Sequence, residues 1–161
     1  MGKIAEKILA LPLDERVEKL KATIRELDKR ELFNMGTWSE VQETSYGCGT
    51  VRCIGGTIQH MMGFRKNEPS SAYVGSYLNL TELATDALFY PHVDNMRWED
   101  ISTEDALKAI DVAVEATKED PYTASSRIRE FWKVVDTKYK EQNDNACVVE
   151  LVDAPDLESG S

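Results

Sequence analysis

Hydrophobic residues recur at helical spacing in the first thirty positions of the chain. One stripe repeats at intervals of three and four residues, and it comprises Leu13, Val17, Leu20, Ile24 and Leu27. This spacing predicts an amphipathic helix from Leu13 to about Arg30, with Lys and Glu on its other face. Pro12 lacks an amide hydrogen and should separate this helix from a shorter one at about Lys3 to Leu11.

Four further segments show the same periodicity. They cover about residues 50–62, 78–89, 102–117 and 124–141. Gly63 is expected as the C-cap of the first segment, and Thr81 lies near the N-cap of the second. The third opens at Ser102, where a Ser-Thr-Glu-Asp sequence resembles a capping box with Asp in place of the usual Glu.

The segments between these helices predict little further structure. Residues 32–47 and 67–76 are expected to be loops, the first held onto the core by Phe33, Met35 and Trp38. Residues 146–152 have the composition of a short strand. The sequence therefore predicts an all-α fold, a compact bundle of five or six helices with at most one short C-terminal strand. Residues 1–152 should form a single helical domain, and 153–161 an acidic, flexible tail.

Composition narrows the classes of protein to which the chain can belong. Its 161 residues are 42% hydrophobic and 30% charged, as in ordinary globular domains. No apolar run approaches the roughly 20 residues that cross a bilayer, and no signal peptide is evident, so we expect a cytoplasmic protein without membrane contact. The net charge of −10 argues against nucleic-acid binding and favours a protein partner with a basic surface.

The segment at residues 47–56 is unusual because glycines, cysteines and a threonine fall where a helix is predicted to begin. Cys48 would precede the helix N-terminus, whose dipole lowers a thiol pKa, and it is the candidate nucleophile or redox thiol. Gly55 and Gly56 inside a helix cost about 1 kcal/mol each relative to Ala. That cost is explained if another helix or an aromatic ring packs against them. Close packing is therefore the favoured interpretation.

Catalytic and metal-binding chemistry have little support around these cysteines. A catalytic thiol needs a histidine, and the chain has only His60 and His92, of which His60 falls about two helical turns beyond Cys53. Structural zinc needs two ligand pairs, whereas Cys48 and Cys53 form at most one. We therefore expect no metal and no cofactor.

Aromatic and acidic residues give the candidates for a binding surface. Acidic side chains are dense between Asp94 and Asp120, and such a surface could imitate nucleic-acid phosphates, although a solvated helical face is the favoured interpretation. Trp and Tyr side chains could likewise bind a ligand, although packing of loops onto the core is favoured. The binding candidates in this region are Trp98, Asp100, Glu104 and Asp105.

An ordered string of motifs over roughly residues 32–120 resembles a family of small bacterial and phage proteins with no established activity. The shared motifs are Phe33-Asn34-Met35-Gly36-x-Trp38, then Cys48-Gly49-Thr50-Val51-x-Cys53-Ile54-Gly55-Gly56, Leu88-Phe89-Tyr90-Pro91 and Ile101-Ser102-Thr103. The chain departs from the pattern at Arg52, where a small residue is usual, and at Thr103, which lacks a following Pro. The resemblance implies a helical fold and a bacterial or phage accessory role.

These observations favour a non-enzymatic accessory protein that binds another macromolecule, such as a phage-encoded modulator of a host factor in the host cytoplasm. Two alternatives stay open, namely a Cys48-dependent enzyme or redox protein, and a virion or assembly component. The sequence does not determine the oligomeric state. On the favoured interpretation, Cys48→Ser should leave function largely intact, whereas a large side chain at Gly55 or Gly56 should destabilise the fold.

Overall fold

The computed structural model describes residues 2–45, 47–64 and 71–159, with the backbone alone at 47–48, 71–72 and 142–159. Seven α-helices lie in the described residues: α1 (Lys3–Leu9), α2 (Leu13–Lys29), α3 (Ile54–Met61), α4 (Ser71–Gly75), α5 (Glu82–Phe89), α6 (Thr103–Ala116) and α7 (Pro121–Ser159). An antiparallel hairpin precedes α3 and consists of β1 (Ser39–Thr44) and β2 (Gly47–Arg52). None of the helices in these ranges is both long and apolar enough to cross a membrane.

The structure corrects the predicted all-α bundle in three places. A hairpin occupies residues 39–52, where a loop and a helix start were expected, because β2 pairs with β1 on one side and with the chain at Phe33 on the other. Ser71–Gly75 is helical rather than part of a loop, whereas 67–70 lie outside the described residues. The predicted strand at 146–152 is wrong, because the backbone there continues α7 as far as Ser159.

Local capping explains where the predicted helices begin and end. Thr81 and Ser102 are the N-caps of α5 and α6, as expected, and each side chain accepts a hydrogen bond from a first-turn amide. Gly63 has φ +76° and follows α3, where its amide and that of Phe64 donate to the carbonyls of His60 and Gln59. This is the Schellman arrangement, and the predicted C-terminus of α3 is confirmed.

The helix stripes predicted from the sequence form the core. The buried members of the α2 stripe are Val17, Leu20 and Ile24. On α7, Ile128, Trp132 and Val135 are buried and pack against α5 and α6. A single cluster of buried side chains joins all of these elements, and it determines how the surface residues of α3, α6 and α7 are arranged.

A buried arginine ties the start of α2 to the turn at Ser76–Leu78. The Arg16 side chain is only 6% exposed, and its guanidinium donates to the carbonyls of Leu11 (3.1 Å) and Tyr77 (2.8 Å). In return the Tyr77 hydroxyl donates to the Arg16 carbonyl at 2.6 Å. These bonds satisfy polar groups that would otherwise be costly to bury.

The buried Tyr77 hydroxyl should make the protein sensitive to alkali. Burial raises the pKa of Tyr77 to about 12, although the positive charge of Arg16 opposes the shift. The unfolded chain loses this proton near the ordinary value of about 10, so stability is full below pH 10 and falls as the pH rises to about 12. We expect a loss of roughly 2–3 kcal/mol across that window from this group.

Urea unfolding at several pH values between 9 and 12 checks this expectation. Tyr77→Phe should be less stable than the wild type at pH 9 but should lose less stability on going to pH 12. Tyr122→Phe, at a position 76% exposed, should retain the wild-type pH dependence. An equal alkaline loss in wild type and Tyr77→Phe would contradict the assignment to Tyr77.

Candidate functional site

The structure places Cys48 in a strand rather than at a helix start. Cys48 lies on β2, where its backbone is opposite Glu43 of β1. Helix α3 begins only at Ile54, with Cys53 as its N-cap. The helix-dipole argument for an activated Cys48 thiol therefore does not apply, because the dipole acts within the first turn of a helix.

Cys53 is the N-cap of α3, and its role is structural. Its side chain is 3% exposed, and its sulfur accepts a hydrogen bond from the Gly56 amide at 3.4 Å. Burial raises the pKa of the Cys53 thiol, with backbone hydrogen bonds opposing the shift to a smaller extent. A buried thiol of raised pKa is a poor nucleophile at neutral pH.

The two helical glycines of α3 do pack against an aromatic residue, as predicted. A Cβ atom at Gly55 would overlap the ring of Trp38, and one at Gly56 would overlap the Trp38 carbonyl oxygen. The Trp38 indole N–H donates to Gln59 Oε1 at 2.9 Å. The Trp38 ring stacks on Tyr90, with ring centroids 6.1 Å apart. Gly55 and Gly56 of α3 thus pack closely on Trp38 just before the hairpin, and Gly55 also lies beside Phe89 at the end of α5.

The two histidines lie in separate environments. His92 approaches Asp86 of α5 at 3.2 Å and is exposed. His60 lies in the last turn of α3, where partial burial and then the nearby charge of Arg52 lower its pKa. In the described part of the chain, no group of three or more His, Cys, Asp or Glu side chains could hold a metal ion.

Two of the four predicted binding residues, Trp98 and Asp105, make contacts within the chain. The indole N–H of Trp98 donates to the Pro91 carbonyl at 2.8 Å, and its ring lies 6.1 Å from that of Tyr90, so it packs the loop after α5. Asp105 is only 4% exposed and accepts the Tyr139 hydroxyl hydrogen bond at 2.6 Å, which removes it from an accessible surface. Asp100 and Glu104 are exposed.

Most of the acidic stretch between residues 94 and 120 is matched by positive charge on the same chain. The ion pairs are Glu99 and Asp100 with Arg97, Asp105 with Lys138, Asp111 with Lys21, Glu115 with Lys118, and Glu119 with Arg127. Asp120 instead caps α7 by accepting the amides of Tyr122 and Thr123, and its hydrogen bonds to Thr123 lower its pKa. The acidic side chains of this stretch are therefore largely engaged in contacts within the chain.

A large concave surface in the described part of the chain is a groove between α6 and α7, which we call the α6–α7 groove. Its volume is about 1040 Å³. Four apolar side chains line it, namely Val112, Ala116, Phe131 and Val134. Val134 is 66% exposed, whereas Phe131 is half-buried beside Trp132 with ring centroids 5.4 Å apart. Charged side chains surround this apolar surface, and they are Asp111, Glu115, Lys118, Glu119, Arg127 and Glu130.

The groove was missed from the sequence, although α7 carries a visible signal for it. Its core stripe includes Ile128, Trp132 and Val135, while a second stripe one position earlier includes Phe131 and Val134. A helix that packs on the core along one face needs only one such stripe of apolar residues. Val134 is exposed and Phe131 is half-buried, so the second stripe lies at the surface beside α6.

Comparison of the chain with protein-family models, with curated proteins and with solved structures finds no match.

Proposed function

We propose that this protein binds a partner protein and that the α6–α7 groove holds the contacting segment of that partner. The observation that carries the proposal is the row of apolar side chains along the groove, with Val134 two-thirds exposed and Phe131 half-buried. Isolated exposed apolar residues are common on protein surfaces, whereas an apolar groove with a polar rim is typical of a site for a partner.

The form of the groove favours an amphipathic segment. Helices α6 and α7 run along its two sides, so its lining residues recur at helical intervals on α7: Thr123, Arg127, Phe131 and Val134. A segment with apolar side chains on one face could insert them between the two helices, as in helix-in-groove recognition. Full burial of a side chain the size of Val or Phe contributes about 1.5–3 kcal/mol, so two or three such contacts would supply useful affinity.

The charges of the groove favour basic residues beside the apolar ones in that segment. Four carboxylates line the groove, against two cationic side chains, and the whole chain carries a net charge of −10. The rim ion pairs, such as that of Glu115 with Lys118, are exposed and contribute little to stability, so a partner's cation can replace them at low cost. The net negative charge also speeds the encounter with a positive partner at low salt.

The proposal is tested with Val134→Glu and the matched variant Val41→Glu. Val134 lines the groove, whereas Val41 is 71% exposed on β1 and lies outside it. Both substitutions add the same charge at an exposed position, so both should leave the thermal midpoint within a few degrees of the wild type. Binding would be measured by fluorescence anisotropy on synthetic amphipathic helical peptides with either Lys or Glu flanking the apolar face.

We expect the Lys-flanked peptides to bind the wild type and Val41→Glu alike, and Val134→Glu at least tenfold more weakly. A partner purified from cells should follow the same order. Equal binding by all three proteins would place the contact elsewhere and contradict the proposal. Concentration-dependent dimers of the wild type that Val134→Glu abolishes would show that a second copy of the chain, rather than a partner, occupies the groove.

A further inference from the structure

A second concave surface lies between the hairpin and the C-terminal half of α3. It is a cavity of about 240 Å³, and its polar lining includes Ser39, Glu40, Thr50, Arg52, Gln59 and His60. The strand register explains part of this set, because Ser39 of β1 is directly opposite Arg52 of β2. Directly opposed residues of an antiparallel pair share one face of the sheet, so both side chains are on the face that borders the cavity.

Arg52 is the guanidinium that lines this cavity, and Glu40 is its carboxylate. Its side chain is half-buried, and burial lowers its pKa. The guanidinium donates to the Thr50 carbonyl at 3.2 Å, and none of the ion pairs found among the described residues includes it. Arg52 lines the cavity, and an anion there would offset the cost of burying its guanidinium.

A neighbouring cavity of about 770 Å³ adds two more positive charges. It lies between α1, α2 and α3, and Lys7, Lys19 and His60 contribute to its wall. His60 lines both cavities. Neither Lys7 nor Lys19 takes part in an ion pair among the described residues. Four basic side chains therefore line the two cavities that meet at His60, on a chain of net charge −10, and we call Lys7, Lys19, Arg52 and His60 the His60 cluster.

We infer that the His60 cluster binds the phosphate group of a small molecule in the cavity beside Arg52. A guanidinium can donate two parallel hydrogen bonds to phosphate oxygens, and the hydroxyls of Ser39 and Thr50 offer further donors. The size of the cavity suits a single phosphate group. An extended nucleic acid does not fit the inference, because it would meet the net negative charge of the chain. This site shares no lining residue with the α6–α7 groove and does not depend on its function.

His60 provides a direct signal of phosphate binding. The charged side chains that line these two cavities with His60 are Lys7 on α1, Lys19 on α2, Glu40 on β1 and Arg52 on β2. Partial burial and Arg52 lower the pKa of His60, so its ring is largely neutral at pH 7 without a ligand. A bound phosphate would favour the imidazolium, and phosphate should therefore raise the pKa of His60. The Glu40 carboxylate accepts a long hydrogen bond of 3.4 Å from the side-chain amide of Gln42.

The experiment is an NMR pH titration of the two histidine rings at constant ionic strength. Spectra would be recorded in chloride, in inorganic phosphate, in glycerol 3-phosphate and in acetate. We expect both phosphate compounds to raise the pKa of His60 and to leave that of His92 unchanged. A stronger effect of glycerol 3-phosphate would identify a phosphate ester as the ligand, whereas an equal effect would identify the free ion. No change at His60, an equal change at His92, or an equal effect of acetate would overturn the inference.

Arg52→Gln gives an independent test, with Arg129→Gln as its matched control on the exposed surface of α7. Loss of charge-assisted hydrogen bonds should weaken phosphate binding about tenfold or more in Arg52→Gln. Arg129→Gln should bind phosphate as the wild type does. Equal affinity of the two variants would contradict the role of Arg52. If Arg52→Gln fails to fold, the wild-type titration decides the inference by itself.

Discussion

Gly56→Ala is expected to lower the free energy of unfolding by about 2–4 kcal/mol. Helix propensity alone gives the opposite sign, because Ala in a helix is favoured over Gly by about 1 kcal/mol. Packing decides the outcome. The new Cβ would overlap the carbonyl oxygen of Trp38 and lie 2.8 Å from its carbon. These are backbone atoms of the residue just before β1. Ser39, the first residue of β1, pairs with Arg52 just before α3, so a shift of β1 away from α3 would disturb that pairing.

Two matched substitutions separate this overlap from general effects of the added methyl group. Gly55→Ala meets the side-chain ring of Trp38 and a Phe89 ring atom at 3.2 Å, and because rings can tilt, its cost should be smaller. Gly2→Ala has no atom within 4 Å of its Cβ and should be neutral. Urea unfolding followed by circular dichroism gives all three values. A Gly56→Ala protein as stable as the wild type would contradict the close packing of α3 on Trp38.

The helices could largely be predicted from the sequence because their information is local. The stripe of Leu13, Val17, Leu20 and Ile24 defines one face of α2, and its core members are buried as expected. Thr81 and Ser102 mark helix starts because their side chains accept amides of the following turn. Such bonds need no contact with distant parts of the chain.

The hairpin could not be predicted in the same way because its causes are not local. Strand β1 has the sequence Ser-Glu-Val-Gln-Glu-Thr, in which only Val41 is apolar, and that side chain is 71% exposed. Strand β2 is rich in glycine, and Thr50 resembles an N-cap. Its strand conformation depends on pairing with β1 and with the chain at Phe33. Cys53 is the actual N-cap, a role for which its residue type gives little indication.

The two candidate sites were missed for a related reason. The apolar stripe of the α6–α7 groove is visible on α7, but only the position of α6 shows that it stays at the surface. Arg52 and His60 lie close together in the sequence. Lys7 and Lys19 join them only because α1 and α2 pack beside α3, a contact that no spacing in the sequence encodes.

Trp132→Ala is expected to lower the free energy of unfolding by about 3–5 kcal/mol. Trp132 is fully buried, and its indole N–H donates to the Ala87 carbonyl of α5 at 3.0 Å. That carbonyl would normally accept the amide of the residue four positions later, which is Pro91 and has no amide hydrogen. Trp132 therefore supplies a donor that the end of α5 lacks, and its loss leaves both a cavity and an unpaired carbonyl.

Trp132→Phe separates the two contributions, because it keeps most of the ring volume and removes only the donor. We expect a loss of about 1–3 kcal/mol for this variant. Tyr122→Ala, at an exposed position of the same helix, should be nearly neutral in urea unfolding. Equal stability of Trp132→Phe and the wild type would show that water replaces the indole donor.

The same substitution connects stability with the proposed function. Phe131 packs against Trp132 at an interplanar angle of 64°, and it lines the α6–α7 groove. Loss of the Trp132 ring should release Phe131 and weaken binding of Lys-flanked peptides, even at low temperature, where the protein is still folded. Val134→Glu should weaken binding without a change in stability. If Trp132→Ala bound these peptides as the wild type does while folded, Trp132 would support only the core, and the groove would not depend on its position.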